Sequence, residues 1–284
     1  MKSNQTAQQL YIVATPIGNL ADISRRAIEV LQQVDCILCE NSEHSMRLLR
    51  HINVQPRALF KLTDHESPER IQYYLDKVGD GSMALISDAG TPLMCDPGHR
   101  LVQAAHARGF AVLPIPGPCA VTAALSICPF SVMPFQFLGF LPRKQGERLR
   151  LLEKVAAGSE ALVFFESPRR LLNCLVDCEQ VFGRNRQIFV VKELTKQFEC
   201  YWHGTVDTVL QALGEGPIQG EFVVVLSGQE AMSAVTETVD LNQCLQALSA
   251  EGLSAQTIIK AIGPITTVRK NALYQRLQAL KTDE

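Results

Sequence analysis

Three short segments of the sequence combine glycine and proline in a way that is typical of rigid ligand-binding loops. They are Thr15–Leu20, Ser87–Gly98 and Pro114–Pro118. Glycine permits positive φ and close approach of a ligand to the main chain, while proline restricts the path of the loop. Any one of these segments could be an ordinary turn. Three of them at one edge of a sheet would form a pocket of backbone amides and carbonyls.

The loops carry no motif for a dinucleotide or a nucleoside triphosphate. The first segment has a single glycine and does not match G-x-G-x-x-G, and G-x-x-x-x-G-K-[ST] does not occur in the chain. In open parallel sheets, ligands bind beyond the carboxyl ends of the strands. The residues alone therefore predict a small, uncharged or zwitterionic ligand that is held by backbone groups.

Two groups of side chains could move a proton in such a pocket. Glu40 and His44 belong to a polar cluster directly after a predicted strand, and histidine titrates close to neutral pH. Glu166 follows another apolar run and is expected to face the same cleft. Each group has a second interpretation. The first cluster could be solvated residues at a helix start, and Glu166 could form a structural ion pair with Arg169 or Arg170.

Cationic side chains that could bind nucleic-acid phosphates occur only in local groups. The chain has 27 Lys and Arg against 29 Asp and Glu, so a surface that is basic throughout is excluded. Basic patches bind phosphate without regard to sequence, but each one is also typical of a solvated helix face. The candidates are Arg143, Lys144, Arg148, Arg150, Arg169, Arg170 and, in the tail, Lys260, Arg269, Lys270, Arg276 and Lys281.

The nine cysteines do not form a metal-binding pattern. Cys36 and Cys39 lie in a strand-like run, where residues three apart point to opposite faces. Cys174 and Cys178 share a helix face, but no second pair of ligands follows at zinc spacing. We therefore expect reduced, structural thiols and no metal site; a metal or redox role is the alternative.

The elements that position these residues alternate between strand and helix over the first lobe, which predicts a parallel sheet covered on both faces. Asp22 is predicted to cap the first helix. The predicted strands are Leu10–Ala14, Cys36–Cys39, Ala58–Leu62, Met83–Ser87 and Ala111–Ile115. Further helices are predicted at about 43–52, 66–78, 98–108 and 119–127. The three glycine and proline segments follow the first, fourth and fifth strands.

A proline-rich turn, Pro129–Pro134, separates this lobe from a second one in which strands follow one another, so a mixed sheet is predicted. Its strands are Phe135–Phe140, Ala161–Phe165, Gln187–Val191, Glu199–His203 and Phe222–Leu226. Its two helices are predicted at about 145–156 and 168–182. Three helices at about 240–250, 254–262 and 266–280 form a tail similar to a helix-turn-helix unit. The predicted boundaries are 1–120, 121–230 and 231–284.

Composition and hydropathy indicate a globular protein, because 46% of the residues are hydrophobic and only 20% are charged. The first nine residues lack the apolar segment of a signal peptide. The longest apolar runs are far shorter than the roughly 20 residues that cross a bilayer. We therefore expect a cytoplasmic protein that does not associate with membranes.

Several motifs together resemble the tetrapyrrole methylase superfamily and, within it, the ribosomal RNA small subunit methyltransferase I branch. The first three are LYIVATPIGNLADI (10–23), SDAGTPLMCDPG (87–98) and PIPGP (114–118). The branch motifs are FLPRK (140–144), FFESPRR (164–170), KELTK (192–196) and GEF (220–222). The resemblance covers residues 10–228. It implies a two-lobed α/β class III methyltransferase with a parallel-sheet first lobe, a mixed-sheet second lobe and a small helical tail.

The resemblance also implies a function and a set of site residues. It implies a homodimer that uses S-adenosylmethionine to methylate a cytidine 2'-hydroxyl of 16S rRNA in the 30S subunit. The matching cofactor positions are Pro16, Gly18, Asp88, Ala89, Gly90, Thr91, Pro92, Pro118, Cys119, Ala120, Phe165, Leu194 and Gly220. Glu40, His44 and Glu166 are the catalytic candidates. The substrate-binding candidates are Asn41, Arg143, Lys144, Arg169, Arg170, Glu193 and Lys196.

Three positions depart from the family pattern, in which we expect an acid at 41, an arginine at 43 and a histidine at 169. Asn41 lacks a carboxylate, and Glu43 would repel an RNA phosphate, whereas Arg169 adds positive charge. Two alternatives therefore stay open. One is a methyltransferase acting on a corrinoid or porphyrin-like small molecule, and the other is a catalytically degenerate RNA-binding paralogue.

Overall fold

The computed structural model describes residues 8–214, 216, 218–228, 241–251, 253–262, 273–275 and 277–278. These residues form two compact units, divided between Gln229 and Glu230. The first unit contains two five-stranded sheets, and the second contains short helices.

The first sheet is entirely parallel, as the alternating pattern predicts, and its strands have the order β3-β2-β4-β1-β5. The strands are β1 (Gln9–Val13), β2 (Cys36–Cys39), β3 (Leu59–Lys61), β4 (Ser82–Ile86) and β5 (Ala111–Ile115). Because β1 lies between β4 and β5, the three glycine and proline segments follow three neighbouring strands. Their carboxyl ends therefore meet at one edge of the sheet.

Helices cover both faces of the first sheet. They are α1 (Arg25–Gln33), α2 (Ser42–His51), α3 (Pro68–Lys77) and α4 (His99–Ala107). Cys36 and Cys39 belong to different apolar clusters, one on each side of the sheet. All nine cysteines, each within the described residues, are free thiols. The prediction that Asp22 caps the first helix is wrong. Asp22 ends a short 3-10 turn, and the Ser24 hydroxyl accepts the Ala27 amide at 3.1 Å.

The second sheet is mixed, with the order β6-β7-β10-β8-β9, and only β6 and β7 are parallel neighbours. The strands are β6 (Phe135–Phe140), β7 (Ala161–Glu166), β8 (Gln187–Lys192), β9 (Cys200–Thr205) and β10 (Phe222–Leu226). The helix α5 (Ala120–Ser126) packs Val121 and Leu125 against this sheet, in one cluster with Phe189 and Val223. The chain therefore passes from β5 of the first sheet directly onto the second.

Three helices cover the other face of the second sheet: α6 (Gln145–Val155), α7 (Leu171–Phe182) and α8 (Val206–Gly214). The helix α8 lies in a region for which we predict no helix. Its Val206, Val209 and Leu213 are buried at helical spacing. Valine and threonine have low helix propensity, so packing against the sheet stabilises α8 more than local preference does.

The second unit contains α9 (Leu241–Ala250) and α10 (Ala255–Ile262), which correspond to the first two helices predicted in the tail. Of the predicted third helix, residues 273–275 and 277–278 are described, and they are helical. Leu245, Ile258 and Leu273 are buried in one small apolar cluster. The likeness to a helix-turn-helix unit stays a prediction.

The described residues contain no candidate membrane span and no candidate metal cluster. Within them, every helix is too short or too polar to span a bilayer. In the same part of the chain, His, Cys, Asp and Glu side chains do not come together in groups of three or more that could ligate a metal ion.

Candidate active site

A cavity of about 420 Å³ lies between the loops of the first sheet and the second sheet. Its volume is within the range typical of small-molecule sites. The first lobe contributes Ile17, Asp88, Ala89, Gly90, Thr91, Met94, Cys95 and Asp96. The rest of the lining is Cys119, Ala120, Val121, Phe140, Phe165, Glu166, Ser167, Pro168, Leu194, Gly220, Glu221, Phe222 and Val223. Both sheets therefore contribute to one site.

Hydrogen bonds join the three glycine and proline segments into one wall. Thr15 and Gly90 form an antiparallel bridge, in which the Thr15 amide donates to the Gly90 carbonyl at 2.9 Å and the Gly90 amide donates back at 3.0 Å. The hydroxyl of Thr91 donates to the carbonyl of Pro118 at 3.2 Å. The first segment is thus tied to the second and the second to the third, as three turns at one sheet edge allow.

The conformation of Gly90 explains why a glycine stands at the centre of this wall. Its φ is +82°, which side chains rarely adopt, and a Cβ would lie 3.2 Å from Cγ2 of Ile17. Ile17 itself lines the cavity. A side chain at position 90 would therefore strain the backbone and push against the wall of the cavity.

The predicted cofactor residues divide into two groups. Nine line the cavity: Asp88, Ala89, Gly90, Thr91, Cys119, Ala120, Phe165, Leu194 and Gly220. The structure places Pro16, Gly18, Pro92 and Pro118 outside the lining. Pro16 and Pro92 are buried behind it. A Cβ at Gly18 would overlap Cγ of Lys196, so this glycine permits close contact between the two lobes.

Among the predicted catalytic side chains, Glu166 lies in the lining and its carboxylate is held firmly. Oε2 accepts from the Arg170 guanidinium at 2.9 Å, and Oε1 accepts from the Ser167 amide at 2.7 Å. The side chain of Glu166 is fully buried. Arg169 is exposed and forms no ion pair among the described residues. The ion pair that we considered as an alternative for Glu166 therefore exists, and its partner is Arg170.

The other predicted proton-transfer residues lie at the start of α2. Oδ1 of Asn41 accepts from the amides of Glu43 and His44 at 3.0 and 3.3 Å, so Asn41 is the N-cap of this helix. The Asn41 amide donates to Oδ1 of Asp88 at 3.2 Å, which connects α2 to the cavity wall. His44 is exposed, and both Glu40 and His44 stand outside the lining.

An acidic cluster at the first-lobe side of the cavity contains a residue that we did not predict, Asp96. The pKa of Asp96 is raised to about 6, mainly by burial and also by the carboxylates of Glu40 and Asp88, while the Ser87 hydroxyl acts to lower it. Burial also raises the pKa of Glu40, together with the charges of Asp88 and Asp64. Within the described ranges no cation forms an ion pair with Asp88 or Asp96. Asp96 therefore has reason to bind a proton near neutral pH.

Across the cavity, Glu193 and Lys196 of the second lobe form a compact turn. The ammonium of Lys196 donates to Glu193 and to Glu221, each at 3.0 Å, and Glu193 also accepts the Glu221 amide at 2.9 Å. Burial acts to raise the pKa of Glu193, but these partners outweigh it and the pKa is lowered. Both predicted substrate residues thus hold the wall that contains Leu194 and Glu221.

The prediction that Arg148 could bind a nucleic-acid phosphate is wrong. Arg148 is 5% exposed, and its Nε donates to the fully buried Asp177 at 2.6 Å. A buried guanidinium that is paired in this way is part of the core. Lys144 pairs with Glu147, whereas Arg143 and Arg150 are exposed.

Eleven lining residues are absent from our predictions: Ile17, Met94, Cys95, Asp96, Val121, Phe140, Ser167, Pro168, Glu221, Phe222 and Val223. Most of them are neighbours of predicted residues within the same motifs. Extending each motif to the complete loop would have found them. Phe140 packs edge to face against Phe165, with ring centroids 5.5 Å apart, and a sequence gives no sign of that contact.

The chain is similar in sequence to a known protein family and to named members of it. A family model described as Tetrapyrrole (Corrin/Porphyrin) Methylases matches residues 9–210. The chain is 40% identical over 282 residues to the ribosomal RNA small subunit methyltransferase I of Escherichia coli O157:H7, covering 97% of this chain and 98% of that protein. It is 37% identical over 277 residues to the protein of the same name from Synechocystis, covering 96% and 99%.

Solved structures with the same fold are more distant in sequence. The cobalamin biosynthetic enzyme cobalt precorrin-4 methyltransferase CbiF superposes with a TM-score of 0.58 at 18% identity, covering 80% of this chain and 97% of that one. The methyltransferase CobJ superposes with a TM-score of 0.57 at 15% identity, covering 78% and 93%. At these identities the likeness shows a common fold.

Proposed function

Because the chain belongs to the ribosomal RNA small subunit methyltransferase I family, within the tetrapyrrole methylases, we propose that it methylates a cytidine 2'-hydroxyl of 16S rRNA with S-adenosylmethionine. The observation that carries this proposal is the cavity between the two sheets, where loops after β1, β4 and β5 are tied into one wall. Relatives that span nearly the whole chain and carry this name support the substrate class.

The residues of the cavity fit S-adenosylmethionine. Its wall of Ala89, Gly90 and Thr91 offers backbone groups at close range, and Phe165 and Leu194 form an apolar face opposite. The carboxylates of Asp88 and Asp96 suit the positive charges of this molecule. When bound, S-adenosylmethionine supplies a methyl group on a positively charged sulfur. The two lobes would hold the acceptor hydroxyl in line with that group, and positioning of this kind accounts for a large part of such rate enhancement.

We further propose that Asp96 takes the proton from the acceptor hydroxyl. It lines the cavity, has no cationic partner among the described residues, and its pKa of about 6 is suited to a base at neutral pH. Glu40 acts through Asp96, because its negative charge raises the affinity of Asp96 for a proton. The carboxylate of Glu166 is already occupied by Arg170 and the Ser167 amide, which favours a positioning role.

The alternatives have weaker support. The likeness to cobalamin enzymes lies at 15–18% identity and concerns the fold alone. Asn41 and Glu43 suggest a degenerate paralogue, but Asn41 caps α2 as an aspartate would, so the departure at position 41 preserves the local structure. The proposed ribosomal substrate places the protein in the cytoplasm. The homodimer is part of the same proposal, and sedimentation velocity would test it.

The decisive experiment combines cofactor binding with methyl transfer. Isothermal titration calorimetry with S-adenosylmethionine tests the cavity, and tritiated methyl transfer to 30S particles and to free 16S rRNA tests the substrate. Mass spectrometry of the digested RNA would locate the methyl group on a ribose. Cofactor binding without incorporation into either RNA would refute the proposal. Methylation of a tetrapyrrole in a parallel reaction would favour the small-molecule alternative.

A further inference from the structure

A second cavity, of about 380 Å³, lies where α6 and α7 begin. Its polar lining includes Arg143, Gln145, Arg148, Arg170 and Asn173. Arg170 connects this cavity with the first one, because its guanidinium binds Glu166, which lines the first cavity. The loops that carry these residues follow the parallel strands β6 and β7, so they lie at the same edge of the second sheet.

Three arginines and one aspartate line this cavity, and one of the arginines also pairs with Glu166 outside it. Asp177 is neutralised by Arg148 at 2.6 Å and also accepts a hydrogen bond from Nε2 of the Gln145 side chain at 2.8 Å. Arg170 is balanced by Glu166 at 2.9 Å. Arg143 is exposed, and its guanidinium has neither an ion pair nor a hydrogen bond among the described residues. The cavity therefore has one uncompensated guanidinium.

Further donors at the cavity lack acceptors. The buried Nε of Arg170 has no hydrogen-bond partner within the described part of the chain. The N-cap residues of α6 and α7 are Lys144 and Arg170, and their side chains do not cap the helix amides. The first amides of two helices thus add to the positive potential that the guanidiniums produce. An anion with several oxygens would satisfy such donors, and arginine is well suited to bind phosphate.

We propose that this second cavity binds a backbone phosphate of the RNA strand that presents the acceptor nucleoside, an inference that rests on the proposed function. The charges of the first lobe favour this path. Glu40, Asp88 and Asp96 repel phosphates from the far side of the first cavity. The strand therefore crosses Arg170 toward the second lobe, where Arg143 is free to bind it.

Matched variants on one helix and its preceding loop test the proposal. Arg143→Gln removes the free cation of the cavity, and Arg150→Gln removes an exposed cation of α6 outside it. We expect Arg143→Gln to raise the KM for 30S particles about tenfold, with kcat and the affinity for S-adenosylmethionine unchanged. In filter binding to 16S rRNA, the slope of log K against log salt should decrease by about one. Arg150→Gln should change the KM by less than about twofold.

A second variant separates phosphate binding from folding. Asn173 is the third residue of α7, where a negative charge stabilises the helix. Asn173→Asp should therefore keep or raise the Tm while it weakens binding to 16S rRNA. Unchanged RNA binding in Arg143→Gln and Asn173→Asp would overturn the proposal, and so would equal losses in Arg143→Gln and Arg150→Gln.

The two proposals fail in different ways. Absence of methyl transfer by the wild type to 30S particles or 16S rRNA refutes the proposed function. Normal methyl transfer with equal RNA binding in the matched variants refutes only the phosphate site. A wild type that does not bind 16S rRNA refutes the phosphate site as well. If Arg143→Gln is defective with 30S particles but not with 16S rRNA, Arg143 contacts a ribosomal protein. That result would overturn the assignment of the second cavity to an RNA phosphate.

Discussion

The two lobes bring the same type of side chain to the cavity in different electrostatic states. In the first lobe, Asp88 and Asp96 form no ion pair among the described residues, and Glu40 lies close enough to raise the pKa of Asp96. In the second lobe, Glu166 is bound by Arg170 and Glu193 by Lys196. A carboxylate that follows a strand is thus not a catalytic residue by type alone. Its partners decide whether it can take a proton.

The pKa values follow this difference. The pKa of Asp96 is raised to about 6 by burial and by neighbouring carboxylates. The pKa of Glu193 is lowered because the Glu221 amide and Lys196 outweigh its burial. The first lobe therefore offers a proton acceptor near neutral pH in Asp96, whereas Glu193 of the second lobe stays charged and holds its loop in place.

The largest expected effect concerns the wall that carries the first-lobe acids. Gly90→Val should reduce the affinity for S-adenosylmethionine more than about 100-fold, because the side chain pushes against Ile17 beside the cavity. Gly109→Val is the matched control. Its φ is +80° against +82° for Gly90, and a Cβ there meets nothing within 4 Å. Both variants carry a similar backbone strain of about 1–2 kcal/mol.

Calorimetry with S-adenosylmethionine distinguishes the two glycine variants once circular dichroism shows that both are folded. Equal affinity in Gly90→Val and Gly109→Val would mean that the donor binds elsewhere and that the unpaired acids of the first lobe do not face it.

The next effect tests the unpaired acid itself. Asp96→Asn should lower kcat about 100-fold, the size typical of a lost general base. In the wild type, the rate should fall as pH decreases through about 6, because Asp96 becomes protonated. This acidic limb of the pH–rate profile should be absent from Asp96→Asn. Asp64→Asn removes an exposed acid of the same cluster and serves as the control. A wild-type limb that persists in Asp96→Asn would assign the proton to another group.

The same variant makes a prediction for stability. Because the folded-state pKa of Asp96 is raised, the folded protein binds this proton more tightly than the unfolded chain does. The stabilisation is complete at low pH and is lost as pH rises through about 6. Asp96→Asn should therefore have a higher Tm than the wild type at pH 7.5, by about 1–3 °C, with little difference at pH 4. Differential scanning calorimetry at both pH values checks the sign.

A smaller effect tests the paired acids of the second lobe. Glu166→Gln leaves the Arg170 guanidinium without its counter-charge and should lower the free energy of unfolding by about 2 kcal/mol. This value is below the range for a fully buried pair because Arg170 is 26% exposed. Glu193→Gln affects a more exposed pair and should cost less than about 1 kcal/mol. Urea unfolding measures both, and equal values would show that burial does not distinguish the two pairs.

The sequence was informative where local chemistry determines structure. The glycine and proline segments after β1, β4 and β5 predicted the site, because such turns occur where parallel strands end. Nine of the cofactor residues inferred from the resemblance line the cavity, Gly90 among them. Gly18 shows the limit of the same reasoning. It resembles a ligand-binding glycine, yet it allows Lys196 of the other lobe to approach.

What the sequence could not show depends on partners that are distant along the chain. Arg148 belongs to a run of cations that is typical of a surface, but it pairs with Asp177, 29 residues away, in the core. Asp96 carries the same carboxylate as many exposed residues. Its raised pKa arises from burial and from Glu40 and Asp88, which only the folded sheet brings near.

The smallest expected effect concerns Asn41, where the family pattern has an acid. Asparagine and aspartate cap helices about equally well, so Asn41→Asp should change the free energy of unfolding by less than about 0.5 kcal/mol. The added charge lies next to Asp88, which contacts the Asn41 amide. It should slightly raise the pH at which the rate begins to fall on acidification. Glu43→Gln removes a negative charge from the same turn and should slightly lower that pH. Rates across the pH range should stay within about twofold at the plateau. A sharp loss in Asn41→Asp would mean that the side-chain amide of Asn41 binds substrate, and the proton-accepting side of the cavity would then extend to α2.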